Sequence, residues 1–568
     1  MTALPNHDPE KEPLELPSNI HPASDTEKTY LAAYEGHDAD IASNEGYILN
    51  ADEEIKRKEN IALHRKASQA SDAQARTNGD VEKSSQEIDT EEIDANMVWW
   101  DGPDDPENPM NWKGWMKISN CLLVSAICFV TPLASSMFAP GVPALMQEFH
   151  STNTELAGFV VSVYVLGFAF GPLFLAPLSE IYGRVPIYHI CNVLFICFTI
   201  ACALATNLNM LVGFRFLEGV WGSAVLTNGG GTITDLTRQE KRGLAMSGFA
   251  MGPIIGPIIG PVAGGFLAQA KGWRWIFWLL TMISGFFTIL CFIFMRETYA
   301  VTILQRKTNR LRKRTGNLAL VSKLDLGLSP QDFFRRGIVR PAKLIIRSPI
   351  VLSTAIWMGV IYGYLYLLFT TFTVVFEETY GFGAGLVGLT YLGLGVGSLV
   401  GLALIAYFSD RMMKTSTARA NATAAEAGQE SSGMKPEYRL PLLVPGSFLI
   451  PMGLLLYGWT AEYKVHWIVP ILSTSLIGVG NMFVFMCINL YLVDAFTIYA
   501  ASALTANTVF RSVMGAVLPL AGQKMYDTLG LGWGNSLLAF LAIGMIPVPF
   551  ALLKRGEYIR TKYPVKNL

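Results

Sequence analysis

From about residue 118 onward the chain alternates long apolar stretches with short polar breaks. Twelve stretches are long enough to cross a bilayer, since a helix needs roughly 20 mostly apolar residues to span about 30 Å of hydrocarbon. The first six begin near Ile118, Leu156, Ile187, Leu211, Leu244 and Ile276, and the second six near Ile350, Leu386, Leu442, Trp467, Ala500 and Trp533. Six spans, a long basic loop and six more predict an all-α membrane protein built as two six-helix bundles around a central cavity. The expected boundaries are a disordered polar tail at 1–96, a membrane-proximal segment at 97–117, a first bundle at 118–296, a basic linker at 297–348, a second bundle at 349–553 and a short tail at 554–568.

Composition sharpens this picture in two ways. The 44 basic and 45 acidic residues nearly cancel, but they sit in the tail and the loops and leave the spans almost uncharged. No clustered basic face of the kind nucleic acid needs is present. The tail has few aromatics and cannot bury enough apolar surface to offset its ordering entropy. Its string His64-Arg65-Lys66-Ala67-Ser68 could be read by a basophilic kinase, although a neutral stretch is the simpler reading. All seven cysteines fall inside predicted spans, as buried small hydrophobes do. No disulfide framework, metal site or cofactor is expected.

Charge also orients the chain. Twelve cations lie between Arg306 and Arg347, whereas 141–155 and 374–384 contain no Lys or Arg. The positive-inside rule then puts the linker and both termini in the cytosol. The 409–440 loop is polar, Ala/Ser-rich and expected to be flexible. It holds the sequon Asn421-Ala422-Thr423, which would stay unmodified on that side.

Few ionisable groups are expected at membrane depth: Arg215, Glu218 and Arg511. Such groups cost about 2.5–3.5 kcal/mol each when central and unpaired, and are functional candidates for that reason. Arg215 and Glu218 stand i,i+3 on span four and can interact. Protonation of Glu218 would release Arg215 and change the conformational preference; a purely structural ion pair is the alternative. Glu180, Arg184 and Asp235 fall at one depth on the cytosolic side and can cluster there. Span five repeats Gly-Pro at 252–253, 256–257 and 260–261. That spacing keeps small residues on nearly one face, where a neighbouring helix can approach and pivot. Tyr362, Tyr366 and Phe369 form an aromatic stripe on span seven, suited to a lipophilic, planar or cationic ligand. Asn481 and Asn489 on span ten could orient a substrate or bond between helices. Arg511 would favour anionic or carbonyl-rich ligands if it faces the cavity, and is structural if it pairs with a backbone terminus. The two sets of six spans carry an echo: Ser179-Glu180 with Gly183-Arg184 after span two, and Ser409-Asp410-Arg411 after span eight.

Several segments together resemble the major facilitator superfamily. Ala176-Pro-Leu-Ser-Glu180-Ile-Tyr-Gly183-Arg184 is similar to its loop 2–3 motif, Leu211 to Gly219 to its fourth-span motif, and Gly252 to Gly265 to the fifth-span motif of its antiporters. The run Asp101-Gly-Pro-Asp-Asp-Pro-Glu-Asn-Pro-Met-Asn-Trp112 resembles the fungal twelve-span drug:proton antiporter branch. So do Arg296-Glu297-Thr298-Tyr299, and Tyr491 to Asp494 with Arg511-Ser512. The resemblance covers roughly 97–560. It implies a conformational latch at Glu180, Gly183, Arg184 and Asp235, a coupling role for Arg215 and a hinge at Gly252, Pro253, Gly256, Pro257, Gly260 and Pro261. The chain departs from the loop 2–3 pattern at Ala176, Glu180 and Val185, and Glu218 stands where relatives often carry a neutral residue.

These readings converge on proton-driven efflux of small organic molecules across the plasma membrane by a monomer whose partners are substrate, protons and lipid. Proton-coupled import is the alternative, with a non-transporting sensor behind it. No GxxxxGK[ST] loop, HExxH or nucleophile elbow occurs, so an ATP-driven pump or an enzyme is not expected.

Overall fold

The structure, a computed structural model, describes residues 96–325, 327, 329–426 and 435–563. The expectations for residues 1–95, including the His64–Ser68 string, fall outside the described residues. The chain is all-α apart from a two-residue parallel ladder, β1 (Met97–Val98) on β2 (Val321–Ser322). The first six long segments are α1 (Gly114–Met137), continued by α2 (Val142–Glu148), then α3 (Thr154–Tyr182), α4 (Arg184–Ala203), α5 (Leu208–Leu236), α6 (Gln239–Lys271) and α7 (Arg274–Phe294). Two linker helices follow, α8 (Ala300–Thr315) and α9 (Pro330–Arg347). The later set is α10 (Pro349–Tyr380), α11 (Ala384–Glu426), α12 (Leu443–Glu462), α13 (Ile468–Phe496), α14 (Ala500–Val517), α15 (Gly522–Met545) and α16 (Pro547–Lys562). We refer to α1–α7 as the first bundle and α10–α16 as the second.

Local chemistry sets the ends of these helices. Asn153, Asn207 and Ser348 each accept a hydrogen bond from the third backbone N–H beyond them, satisfying groups that a helix start leaves unpaired. Ser329 and Asp332 close a reciprocal capping box at α9, with Pro330 at its first position. Gly183, at φ 99°, lets α3 turn directly into α4.

Eleven helical segments among the described residues are long and apolar enough to cross a membrane. The last, Ala500–Lys562, has 63 residues and would reach about 95 Å as a straight helix, three times the hydrocarbon thickness. Its helical geometry breaks at Gly530, with φ 75° and ψ 172°. The Glu462 carboxylate receives the Leu531 and Gly532 N–H groups at 2.7 and 3.2 Å, capping a new helix start. Eleven of the twelve expected spans begin within five residues of a helix start, and the twelfth, expected at Trp533, begins just after the break at Gly530 inside α15. Faces such as Met282, Phe286, Ile289 and Ile293 on α7 remain exposed at helical spacing, as a lipid-facing surface requires.

One expectation differs from the structure. The 409–440 stretch is helical as far as Glu426, because Ala418, Ala420, Ala422, Ala424 and Ala425 have high helix propensity. The linker is ordered over most of its described length. Lys307 on α8 donates to Asp105 Oδ2 at 3.2 Å and to the Trp99 carbonyl at 3.1 Å, and lies 2.7 Å from Asp101 Oδ1. Arg310 pairs with Glu107 at 3.0 Å. The acidic run before span one is thereby strapped onto α8. Burial alone would raise the Asp105 carboxyl, but the Asp101 and Glu107 N–H groups and Lys307 outweigh it and hold it below the usual aspartate value. Burial would lower Lys307, but Asp101 and Asp105 outweigh it and raise it.

Packing relies on glycine. A Cβ on Gly219 would stand 2.0 Å from the Tyr164 carbonyl oxygen, so α5 and α3 touch backbone to backbone. The second bundle repeats this contact: a Cβ on Gly478 of α13 would stand 2.3 Å from the Leu394 carbonyl of α11. The two bundles meet along α6 and α11, where a Cβ on Gly388 would stand 2.4 Å from the Pro261 carbonyl. At the end away from the linker, Ser162 donates to the Ala516 carbonyl at 3.0 Å, Thr373 to the Ala139 carbonyl at 3.3 Å, and the Gly385 N–H to Gln269 at 2.9 Å. At the linker end α9 joins the bundles, with Gly337 against Pro177 of α3 and Arg340 over the Tyr499 ring.

Candidate coupling site and substrate cleft

α1 ends at Met137 inside the protein, and its last carbonyls lack helical partners. Arg215 supplies them. Its guanidinium donates to the Ala134 carbonyl at 3.0 Å, the Ser135 carbonyl at 3.2 Å and the Val160 carbonyl at 3.4 Å. It also pairs with Glu218 at 3.0 Å and lies 4.5 Å above the Tyr164 ring. Arg215 and Glu218 are both fully buried. Glu218 further accepts from the Thr199 hydroxyl at 2.9 Å and the Cys202 thiol at 3.7 Å, both on α4. The carboxylate is thus completely ligated inside the first bundle and directed toward α4. The cation simultaneously neutralises the acid and caps a helix C-terminus, where positive charge is favoured.

Ser135 carries the contact outward. Its hydroxyl lies 2.8 Å from the Tyr366 hydroxyl on α10, across the bundle boundary. The rings of Tyr362, Tyr366, Phe369 and Tyr391 then follow one another, with successive centroids 5.1, 5.5 and 5.7 Å apart. Arg511 sits over Tyr362 at 5.0 Å and over Phe485 at 5.1 Å, and its Nε has no hydrogen-bond partner. Phe369, Tyr391 and Asn481 line a cleft between the bundles with Pro253 and Pro257 of α6. Asn489 lies outside that lining, facing Asn507 at 3.5 Å.

The Gly-Pro repeat therefore has two faces. Cβ atoms on Gly252, Gly256 and Gly260 would come within 3.0, 2.9 and 2.4 Å of α1, at Phe129 N, Leu133 N and Ser136 Oγ. Pro253 and Pro257 face the cleft. Pro261 meets Gly388 of α11. α6 runs as one helix through all three prolines.

At the linker end Arg184 donates to Ser179 at 2.8 Å and lies 3.7 Å from Asp235. Glu180 is close enough to act on Arg184 electrostatically. Glu297, quoted above only within a motif, accepts the Arg184 and Val185 N–H groups at 3.0 and 3.3 Å. It fills the space where a Cβ on Gly183 would come within 2.3 Å of it, which is why glycine stands there. The second bundle rebuilds this trio. Arg439 donates to Ser409 at 3.2 Å and to Asp494 at 3.1 Å. The sequence echo chose Arg411 as the second base; instead Arg411 stacks on Tyr407 at 4.1 Å. The true counterpart stands 30 positions after Ser409, beyond a segment of no fixed spacing, so no local signal could reveal it. The Asp410 side chain is outside the described residues.

The Major Facilitator Superfamily family model matches residues 124–519. The chain belongs to this superfamily. It is 59% identical over 470 residues to the MFS-type transporter tndD of Aspergillus flavipes, covering 83% of this chain and 86% of that protein. It is 52% identical over 471 residues to the efflux pump radE of Floropilus chiversii, covering 83% and 86%. Among solved structures, the partially occluded inward-open xylose transporter XylE of E. coli superposes with a TM-score of 0.55 at 14% identity, covering 77% of this chain and 99% of that one. The fold is thus the major-facilitator fold, and the superfamily protein described here is a multi-pass membrane transporter of small molecules and not an enzyme.

Proposed function

We propose that this transporter exports small organic molecules in exchange for protons. One observation carries the reading: a fully buried Arg215–Glu218 pair is joined through one residue, Ser135, to Tyr366, which packs on Phe369 of the cleft between the bundles. A buried pair of this kind is costly to assemble and costlier to break on one side only. Protonating Glu218 removes half of the attraction holding Arg215, frees it to shift on the α1 carbonyls, and so changes the position of Ser135 against Tyr366. The export direction follows radE, an efflux pump to which the chain is 52% identical over 471 residues.

The cleft favours planar aromatic substrates that carry a carbonyl or an ionised oxygen. Its rings offer stacking surface, and Arg511 offers a cation whose Nε is unpartnered. Tyr362, Tyr366, Phe369 and Asn481 line the route, with Asn489 flanking it. Glu180, Gly183, Arg184 and Asp235 form the latch, with Glu297 as its anchor and Arg439–Asp494 as its partner in the second bundle. The Gly252–Pro261 repeat supplies the pivot. The linker and both termini lie in the cytosol of a plasma-membrane monomer. The domain limits are those of the hydrophobic pattern, and the turn at Gly530 makes twelve crossings.

Protein in liposomes with an imposed pH gradient tests the exchange, with substrates first found by accumulation of a compound panel in a pump-deficient yeast. Uphill movement of solute against the proton flux is expected. In Glu218→Gln, gradient-driven transport should fall while substrate-for-substrate exchange persists. Wild-type pH dependence in that variant overturns the assignment of Glu218.

A further inference from the structure

Glu218 has no route to water through the cleft, because Arg215 and the end of α1 stand between them. On its other side a small cavity opens inside the first bundle, one helical turn from Glu218 along α5 at Gly222 and, along α4, two turns from Thr199 at Asn192. The polar Thr131, Asn192, Ser284 and Thr288 line it among apolar neighbours that include Ile127 and Phe195, with room for about one water molecule. Asn192 is more than nine-tenths buried, and its amide nitrogen lines up with no acceptor in the protein. A buried amide without a partner costs about 1–3 kcal/mol, and hydrated cavities in proteins are those that offer such groups two or more polar contacts. Glycine at 222 keeps the space: a Cβ there would come within 3.0 Å of both the Thr131 methyl and the Tyr164 hydroxyl oxygen.

The polar lining does not stop at the cavity. One turn further along α4, the Tyr188 hydroxyl lies 2.8 Å from Thr232 of α5. On the same side of α5, Asn228 accepts from Ser179 at 2.9 Å, and its own amide nitrogen is buried without a partner. Ser179 bonds to Arg184, which pairs with Asp235 at the linker end. Glu218, Gly222, Asn228, Thr232 and Asp235 fall on one side of α5, so polar groups mark out a column from the buried carboxylate to the linker end. A column of this kind has no packing advantage over leucine and valine.

We propose that the cavity beside Asn192 is a hydration site through which Glu218 exchanges its proton with the linker side, inside the first bundle and apart from the substrate cleft. The inference rests on the reading of Glu218 as the proton-binding group. In the exchange a hydronium ion in the column gives one proton to a Glu218 oxygen and remains as water; deprotonation reverses the step. Asn192 positions that water, with the Thr131, Ser284 and Thr288 hydroxyls completing its shell. The groups facing the carboxylate are Arg215 from α5, Thr199 and Cys202 from α4, Tyr164 from α3 and the α1 carbonyls through Arg215. None of these supplies a second acid that could carry the proton instead. Separating the two routes has a consequence for coupling: a proton can reach Glu218 whether or not the cleft is occupied.

Time-resolved infrared difference spectroscopy after a pH jump tests this on the full chain in lipid nanodiscs. The carboxylic-acid band lost in Glu218→Gln identifies protonated Glu218. Asn192→Leu fills the site with an apolar group, and Thr288→Val removes one hydroxyl at constant shape. Both should slow the appearance of the band, Asn192→Leu by about tenfold or more, with its final amplitude preserved. An unchanged rate in both variants overturns the hydration site and leaves the role of Glu218 standing. If Glu218→Gln removes no band at any pH, Glu218 does not titrate and both readings fall. Should Asn192→Leu unfold, the isosteric Thr288→Val variant decides alone.

Discussion

The two bundles carry the same arginine–serine–aspartate trio at the linker end but opposite chemistry at their centres. In the first bundle the central cation, Arg215, is fully buried, bonded to three carbonyls and paired with Glu218. In the second, Arg511 is only partly buried and rests on two aromatic rings. A charge sealed among its partners can respond to a proton. A charge presented on rings can respond to a ligand. The division of labour follows from the partners, since the side chains are the same.

Breaking the two arginines separates these roles most sharply. Arg215→Ala should abolish transport and destabilise the protein by about 3–5 kcal/mol, because it strands the Glu218 carboxylate and frees the α1 carbonyls. Arg215→Lys should rescue only partly, since an ammonium cannot span carbonyls and carboxylate together. Arg511→Ala should leave the thermal melting temperature of the purified protein nearly unchanged while weakening apparent substrate affinity in transport assays about tenfold or more.

Two individual glycine contacts, one in each bundle, differ too. Gly256 faces the backbone of α1, whereas Gly359 on α10 faces the Phe510 and Met514 side chains of α14, at 2.9 and 3.0 Å. Backbone cannot give way and side chains can. Gly256→Leu should therefore eliminate transport and Gly359→Ala reduce it only a few-fold, about 1–3 kcal/mol of overpacking being the scale of the milder change. Equal losses of transport at matched membrane abundance would remove this contrast.

A smaller difference is expected at the trios. Arg184 has Tyr299 at 4.7 Å and the Glu297-capped turn around it, and Arg439 bonds to Ser409 and Asp494. Transport rates should fall further in Arg184→Ala than in Arg439→Ala, and Glu297→Gln should reproduce part of the Arg184 effect.

The smallest effect concerns the strap that ties the segment before α1 to the linker helix α8. Asp105 is held below its usual value, so its contribution is present above that value and lost as pH falls through the lower folded one. Lys307 is raised, so its contribution holds below the usual lysine value and fades only as pH rises through the higher folded one. Limited proteolysis of 96–112 should be flat between about pH 5 and 9 and accelerate under stronger acid. Asp105→Asn should be cut faster at neutral pH and lose the acid step.

Hydrophobic patterning alone determined that the chain lies in a membrane, where its helices start and that span four carries an interacting acid and base. These follow from the bilayer thickness and from i,i+3 geometry, both local rules. The resemblance of the contiguous loop 2–3 motif pointed to Gly183 and Arg184, and Asp235 stood out because it ends a span at the same depth. Tertiary structure alone decided three things. It made Arg439, not Arg411, the second latch base, since the contact closes across a segment of about 30 residues. It placed Pro253 and Pro257 on the cleft, because a helix with small residues on one face and prolines on the next can serve two neighbours at once. It also directed Glu218 at Thr199 and Cys202 of α4 rather than at the cleft between the bundles. A helix position states the depth of a side chain and its face, but what that face meets depends on how the other helices pack around it.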